Sequence, residues 1–400
     1  MKIVQINSVS NGSTGKIMMD IHKELINRGY DSYVVWGRGR ESTSENEIFL
    51  DDKFGTYYHV LMTRLTGKTG FYSTKSTMKL IKKLEEINPD IIHLHNIHGY
   101  YVNIELLFEY LKKKKVRVIW TLHDCWPFTG QCPYFTMEKC DKWKIECNNC
   151  PMLKQYPKTL TDNSRWNYKM KKELFNGLNI TIVTPSNWLA GLVKQSFLKK
   201  YDIKVINNGI DTHIYKKTKS NFKYSNNIND KKIILGVAGV WDKRKGLDDF
   251  VELSKIIDDS YIIVLIGLSK KQIKKLPNNI IGITRTENQK ELVEIYSSAD
   301  ILFNPTYEDN YPTVNLESIA CGTPVLTYDT GGSYEFTEKT NYKKNDFVIE
   351  KEKIIIDKSI IFKKIKKIIN NGFVFENFDS IDNKTMVDHY IELYNECEEK

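Results

Sequence analysis

Residues 299–329 read ADILFNPTYEDNYPTVNLESIACGTPVLTYD. An apolar run of strand length ends at Asn304-Pro305, and the acidic loop Glu308-Asp309-Asn310 follows it. Pro312 stands where a first helical turn begins, Gly322 is a natural helix stop, and Pro324 lies just beyond it. PVLTYD is then a second strand. Strand, helix and strand in so short a span predict one right-handed crossover of a parallel sheet.

Outward from this unit the alternation continues. KIILGVAGV (232–240) and YIIVLIG (261–267) read as strands, DDFVELSKII (248–257) and QKELVEIYSSA (289–299) as helices. The first half opens on the strand KIVQINSV (2–9), the Gly/Ser loop SNGSTG (10–15) and an amphipathic segment from Lys16 to Asn27. DSYVVWG, DIIHLHN, VRVIWTLHD, ITIVTPS and IKVINNG are further strands, with MKLIKKLEEI and IELLFEYLKKKK as helices among them. Four hundred residues exceed what one core usually organises, so two α/β domains with doubly wound, Rossmann-like parallel sheets are expected. The polar stretch THIYKKTKSNFKYSNNINDKK lacks sustained apolar periodicity and sets the boundary. A first domain covers 1–210, a linker 211–230 and a second domain 231–383, and a closing helix over 384–400 packs back on the first domain.

Charge and cysteines narrow the function classes. Residues 1–200 hold 30 Lys and Arg against 19 Asp and Glu, a net +11, while residues 201–400 hold 29 against 31, a net −2. A basic first half suits an anionic partner, and equally a solvated lysine-rich surface. No window approaches the ~18 consecutive apolar residues of a spanning helix. A cytoplasmic chain, at most peripheral at the inner face of the plasma membrane, is the expectation. Of the seven cysteines, five fall between Cys125 and Cys150, which argues for reduced thiols over a dispersed disulfide framework. They lie in an added loop over 125–151. Cys132, Cys140, Cys147 and Cys150 suffice for one structural zinc, and reduced, metal-free thiols fit as well. Trp126, Phe128, Tyr134, Phe135 and Trp143, among Lys139, Lys142 and Lys144, suit stacking on sugar faces and attraction to anionic headgroups. Lys112 to Lys115, Lys169, Lys171 and Lys172 either add to that attraction or serve as solvated helix ends. His93, His95 and His98 lack the carboxylate or cysteine spacing of a metal site and read as core or cleft histidines.

Open parallel sheets bind ligands beyond the carboxyl ends of their strands. Asp309 lies in such a loop and Glu317 about one turn into the helix that follows. Backbone N–H groups at that helix start attract a phosphate, while a carboxylate alongside accepts hydrogen bonds from sugar or ribose hydroxyls. The acid, seven residues, Glu317, and then Ser-Ile-Ala-Cys-Gly-Thr-Pro-Val resemble the donor-site signature of family 4 retaining glycosyltransferases of the GT-B type. Lys245-Gly246 in GVAGVWDKRKGLDDF resembles part of that family's diphosphate clamp. Val240 stands where the family has Arg, so the second cation falls to Arg244 or Lys243. SNGSTG resembles its glycine-rich first loop, and TPSNWL and INNGID its hinge segments. His123-Asp124 fits the position of a histidine beside the sugar ring, and the HDCW motif with its Cys-rich insertion resembles the bacterial surface-polysaccharide branch, that of colanic acid, capsule and O-antigen.

The resemblance implies two domains facing across a cleft and transfer of a hexosyl unit, with retention, from a UDP- or GDP-sugar to a saccharide acceptor, lipid-linked, at the cytoplasmic membrane. No cofactor is implied for catalysis. Its catalytic set is His123, Lys245, Asp309 and Glu317. Donor contacts are Gly12, Gly15, Arg244, Lys245, Arg285, Glu308 or Asp309, Asn310, Tyr311, Pro312, Thr313 and Glu317, and the acceptor side holds His95, Asp124 and Trp126. A glycoside hydrolase would leave the KRKG clamp unexplained. A zinc-stabilised nucleic-acid-binding protein is the alternative; it leaves the donor signature unexplained, and nucleic acid is not an expected partner.

Overall fold

A computed structural model describes residues 1–42, 44–350 and 358–396. The chain forms two compact units, residues 1–207 with the chain from Met386 onward, and Asn208–Thr385.

In the first unit β1 (Lys2–Val9), β2 (Asp31–Arg38), β3 (Glu47–Phe49), β4 (Ile91–Leu94), β5 (Arg117–Thr121), β6 (Ile180–Thr184) and β7 (Asp202–Val205) form a parallel sheet, ordered β3-β2-β1-β4-β5-β6-β7. Helices α1 (Gly12–Asn27), α2 (Lys53–Thr66), α3 (Thr74–Ile87), α4 (Ile104–Lys114), α5 (Ser164–Leu174) and α6 (Asn187–Val193) make the crossovers. The central strands are runs of Ile and Val because both faces are covered, as Ile92, Val118, Ile119 and Ile182 show by their complete burial. Sheet order reverses between β1 and β4, which places a ligand crevice beyond their carboxyl ends. α1 starts at Gly12, four residues before the expected Lys16. A Cβ on Gly15 would lie 2.5 Å from the carbonyl carbon of Ser10, so only glycine lets the first turn fold so close to the preceding loop. The terminal helix Asn383–Asn395 brings Met386, Tyr390 and Tyr394 into the core beside Ile3, Ile119 and Val183. Residues 397–400, expected to continue it, lie outside the described residues.

The second unit holds β8 (Lys232–Val237), β9 (Tyr261–Ile266), β10 (Ile280–Ile283), β11 (Ile301–Asn304), β12 (Val325–Tyr328) and β13 (Val348–Ile349), ordered β10-β9-β8-β11-β12-β13 and again parallel. Its helices include α7 (Phe222–Ser225), α8 (Leu247–Ser254), α9 (Lys270–Ile273), α10 (Gln289–Ser298) and α11 (Thr313–Ala320). Residues 211–230, expected as a linker, pack on this unit instead. Lys217 Nζ donates to Ser297 O at 2.7 Å, and Lys223 pairs with Asp300 at 2.8 Å. Polar composition hid these anchors, because each lysine is held by its tip. Among the described residues no helix is long and apolar enough to cross a membrane.

Candidate active site

In the second unit the sheet order reverses between β8 and β11, and the loops after these two strands carry most of the expected donor residues. Asp242 caps the short turn Lys243–Lys245, its Oδ1 accepting from Lys245 N at 3.0 Å. Gly246 follows at φ +74°, where a Cβ would lie 2.3 Å from Pro305 O, so glycine is required for the turn to sit against the end of β11. Arg244 Nη1 donates to Glu308 O at 2.7 Å, and Tyr307 N donates back to Arg244 O at 2.8 Å. Lys245 Nζ forms an ion pair with Asp309 Oδ2, while Asp309 Oδ1 accepts from Asn310 N at 2.9 Å. Burial pushes the Asp309 carboxyl up, but Lys245 and Arg244 beside it outweigh burial and hold it below the usual carboxylate range. Of the two acids, Asp309 therefore faces the cations with its side chain, and Glu308 holds Arg244 with its backbone. Of the two candidate cations, Arg244 is drawn in and Lys243 is exposed. Val240 is exposed as well.

α11 opens at Thr313 behind Pro312, with no side-chain cap on its first turn among the described residues. Asn315 fixes the helix against β11, accepting from Asn304 Nδ2 at 2.8 Å and donating to Ser333 O at 2.9 Å. On the next turn Glu317 Oε2 accepts from the Tyr296 hydroxyl of α10 at 3.0 Å. Tyr311 is buried, and its carbonyl accepts from Asn208 Nδ2 at 3.3 Å. Arg285 stands exposed in the loop beyond β10. The ion pair thus unites Lys245, Arg244, Glu308, Asp309 and Asn310, whereas the Glu317 contact runs to Tyr296.

In the first unit Gly12 and Gly15 occupy the first turn of α1, and that helix likewise has no side-chain cap among the described residues. His123 and Asp124 follow β5, and His95 follows β4. Gln5 Nε2 donates to Met18 O at 3.3 Å, which leaves Gln5 Oε1 to accept from His95 Nε2 at 3.2 Å. His95 Nδ1 must then accept from His123 Nε2 at 3.1 Å, and His123 Nδ1 becomes the unprotonated ring nitrogen. Burial drives His95 well below its ordinary value and His123 down to about 4, so both rings are neutral at pH 7. His93 is held by Tyr394 OH at 2.7 Å and Thr121 Oγ1 at 2.8 Å. Asp124 accepts from His98 Nε2 at 2.8 Å and Trp126 N at 2.9 Å, and these partners outweigh the burial that would raise its carboxyl.

The aromatic residues of the insertion correct an expectation. Trp126, Phe128, Phe135 and Trp143 are each at most 2% exposed and form core, so Trp126 cannot stack on a sugar. Its ring lies over Lys171 Nζ at 3.3 Å, and that ammonium donates to Trp126 O and Thr129 O at 2.8 and 3.1 Å. Lys171 is wholly buried, so it offers nothing to a membrane, and Lys169 pairs with Glu146 at 3.3 Å. Cys132, Cys140, Cys147 and Cys150 line one small cavity with Phe135, Trp143 and Met152. Cys132 hydrogen bonds Cys150, which raises the first thiol and lowers the second, and burial pushes Cys147 up to about 12. Among the described residues no group of three or more His, Cys, Asp and Glu is arranged to hold a metal ion.

Sequence reasoning passed over Gln5, Tyr296 and Tyr156, whose OH lies 3.2 Å from His98 Nδ1. None carries a local signal, since each acts on a partner distant in the chain. His98 is read from IIHLHNIHG as a core or cleft histidine, but its partners Tyr156 and Asp124 are not legible there.

Residues 14–214 match the family model described as Glycosyltransferase Family 4, and residues 218–379 the model described as Glycosyl transferases group 1. The chain is 23% identical to the candidate colanic acid biosynthesis glycosyl transferase WcaC of Escherichia coli (strain K12), over 86% of this chain and 87% of that one. It is 27% identical to the processive diacylglycerol alpha-glucosyltransferase of Acholeplasma laidlawii, over 54% of this chain and 67% of that one. The crystal structure of Anabaena HepE with UDP-glucose superposes with a TM-score of 0.62 at 15% identity, over 99% of this chain and 100% of that one, a likeness of fold.

Proposed function

The chain belongs to glycosyltransferase family 4, and on that premise we propose that it moves a hexosyl unit, with retention of configuration, from a UDP- or GDP-sugar to a lipid-borne saccharide in bacterial surface-polysaccharide assembly. Its fold is of the GT-B type. The observation that carries the donor half is the Lys245–Asp309 pair beside Arg244, at the carboxyl ends of the strands where the sheet order reverses.

A departing nucleoside diphosphate gathers negative charge as the glycosidic bond breaks. Positioned cations stabilise that charge more than they stabilise the ground state, which is the condition for acceleration. In this reading Lys245 and Arg244 hold the diphosphate with the first-turn amides of α11. Asp309, once Lys245 turns to the phosphate, accepts from a sugar hydroxyl. Glu317, oriented by Tyr296, accepts from the ribose hydroxyls. The neutral His123 ring stands on the acceptor side, and no metal ion is assigned a role. The relatives named for colanic acid and for a diacylglycerol acceptor support the product class and the lipid, and the HepE complex supports a uridine nucleotide.

Thermal unfolding with UDP and with GDP tests this. One diphosphate should raise the melting temperature, by the equivalent of about 2.7 kcal/mol at a hundredfold excess over Kd. In Lys245→Ala the same addition should do little. A wild type that neither diphosphate stabilises, and that turns over no UDP- or GDP-sugar with a lipid-linked saccharide, overturns the reading.

A further inference from the structure

Helix α2 turns an apolar face outward. Phe54 and Tyr57 are 85% and 75% exposed, and Tyr58, Leu61 and Leu65 are each about half exposed. Positions 54, 57, 58, 61 and 65 recur at helical spacing, so these five side chains form one stripe. Lys53 and Arg64 border the stripe, and the helix itself contains no acidic residue. Of the two acids just before it, Asp52 is spent on the cap, accepting from Gly55 N at 2.8 Å, while Asp51 is exposed. The neighbouring loop extends it. Leu160 N donates to Arg64 O at 2.7 Å and Thr161 Oγ1 to Leu65 O at 2.8 Å, which fixes Leu160, 80% exposed, at the end of the stripe beside the exposed Lys158.

The opposite face of α2 is buried and leads to the acceptor side. His59 Nδ1 hydrogen bonds Ser73 Oγ at 2.8 Å, and its ring packs edge-on against Tyr72 and Tyr100. Tyr100 packs on Tyr156, Tyr156 OH meets His98, and His98 donates to Asp124. One helix therefore carries an outward apolar stripe on one side and, on the other, a continuous chain of rings ending at Asp124.

We propose that this face of α2, with Leu160, docks on a lipid bilayer bearing anionic headgroups. Aromatic rings and leucines enter the headgroup and acyl boundary, while Lys53, Arg64 and Lys158 meet the lipid phosphates, the arrangement of an interfacial amphipathic helix. Charge selects the occupant: a second copy would bring the same basic border against itself, within a half of the chain that is already +11. The docking deepens the proposed function and rests on it only for its purpose, which is to hold a lipid-borne acceptor near Asp124.

Co-sedimentation of the full chain with phosphatidylcholine vesicles, with and without phosphatidylglycerol, tests the docking apart from any activity. Binding should require phosphatidylglycerol and weaken as salt rises. Phe54→Ser combined with Leu61→Ser should weaken it about tenfold or more, and Lys53→Glu with Arg64→Glu should abolish its dependence on anionic lipid. Both variants should keep the wild-type melting temperature and its shift with nucleoside diphosphate, which separates this proposal from the donor reading. A wild type that stays in the supernatant with anionic vesicles overturns it. So does a dimer in sedimentation equilibrium that Phe54→Ser with Leu61→Ser dissolves, since the occupant would then be a second copy.

Discussion

Lys245 Nζ and Asp309 Oδ2 are paired at the end of β11 with side chains only 19% and 14% exposed. Removing the ammonium leaves a shielded carboxylate that Arg244 alone must balance. Lys245→Ala should therefore cost roughly 3 kcal/mol of stability at pH 7, at the low end for breaking a buried pair. Asp309 has a depressed folded-state pKa, so the pair's contribution is present above the unfolded value of about 4 and is lost as pH falls through the folded one. Urea unfolding of both proteins should show the gap at pH 7 and a narrowing gap below pH ~4. A gap that is the same at both pH values would assign Lys245 a packing role instead.

Tyr296 is fully buried and spends its hydroxyl on Glu317 at 3.0 Å. Tyr296→Phe keeps the ring and removes this one hydrogen bond from the carboxylate. If Glu317 meets the ribose in both ground and transition states, the change should raise the donor KM about tenfold with little effect on kcat. A fall in kcat at unchanged KM would place Glu317 at the reacting centre.

The sequence revealed those parts whose physics is local. Parallel strands covered on both faces are runs of Ile and Val, which is why β9, β11 and β12 were readable. The loop of Glu308 to Pro312 was readable because a strand end, Pro and a capless helix start are adjacent in the chain. α2 is illegible in the sequence because its apolar residues Phe54, Tyr57 and Leu61 face outward while His59 and Thr63 are buried, the reverse of the contrast that marks a helix packed on a core. Trp143 reads as surface because Lys142 and Lys144 flank it, and Trp126 lies in a loop without period, which gives no sign of which side is core. Tyr296 and Gln5 were out of reach, since folding alone brings them to Glu317 and His95.

Five buried histidines in the first unit, His22 among them, have their pKa lowered by burial and make a prediction about acid. Burial lowers His59 and His93 to about 3, His123 to about 4, and His95 well below its ordinary value. Between the unfolded value of about 6.5 and these folded values the unfolded chain binds more protons, so stability falls as pH falls. Each histidine contributes at most about 1.4 kcal/mol per pH unit in that window. The first unit should thus lose stability from about pH 6 downward, before the Asp309 pair of the second unit weakens near pH ~4. Hydrogen exchange at pH 7 and pH 5 should show protection falling in β4 and β5 and holding in β11. Equal losses in both sheets would refute the assignment.

The relay from Gln5 through His95 to His123 makes the sharpest prediction, because it concerns where a proton sits. Gln5 Oε1 can only accept, His95 therefore carries its proton on Nε2, and His123 carries its own on Nε2. Gln5→Glu keeps the size of the side chain and places a carboxylate against His95 Nε2. That charge favours the imidazolium and raises the His95 pKa. A protonated His95 donates from Nδ1 as well, so His123 Nε2 must become the acceptor and its proton moves to Nδ1. Wild-type kcat should be flat from about pH 5.5 to 8 as far as these rings are concerned, since they are neutral throughout. The variant should acquire an acid limb along which kcat falls about a hundredfold, the scale of a displaced acid–base group. Ring nitrogen NMR shifts should report the exchanged tautomer of His123 over the same pH range. A variant with a displaced tautomer and an unchanged kcat profile would remove His123 from the chemistry while leaving the relay intact as structure.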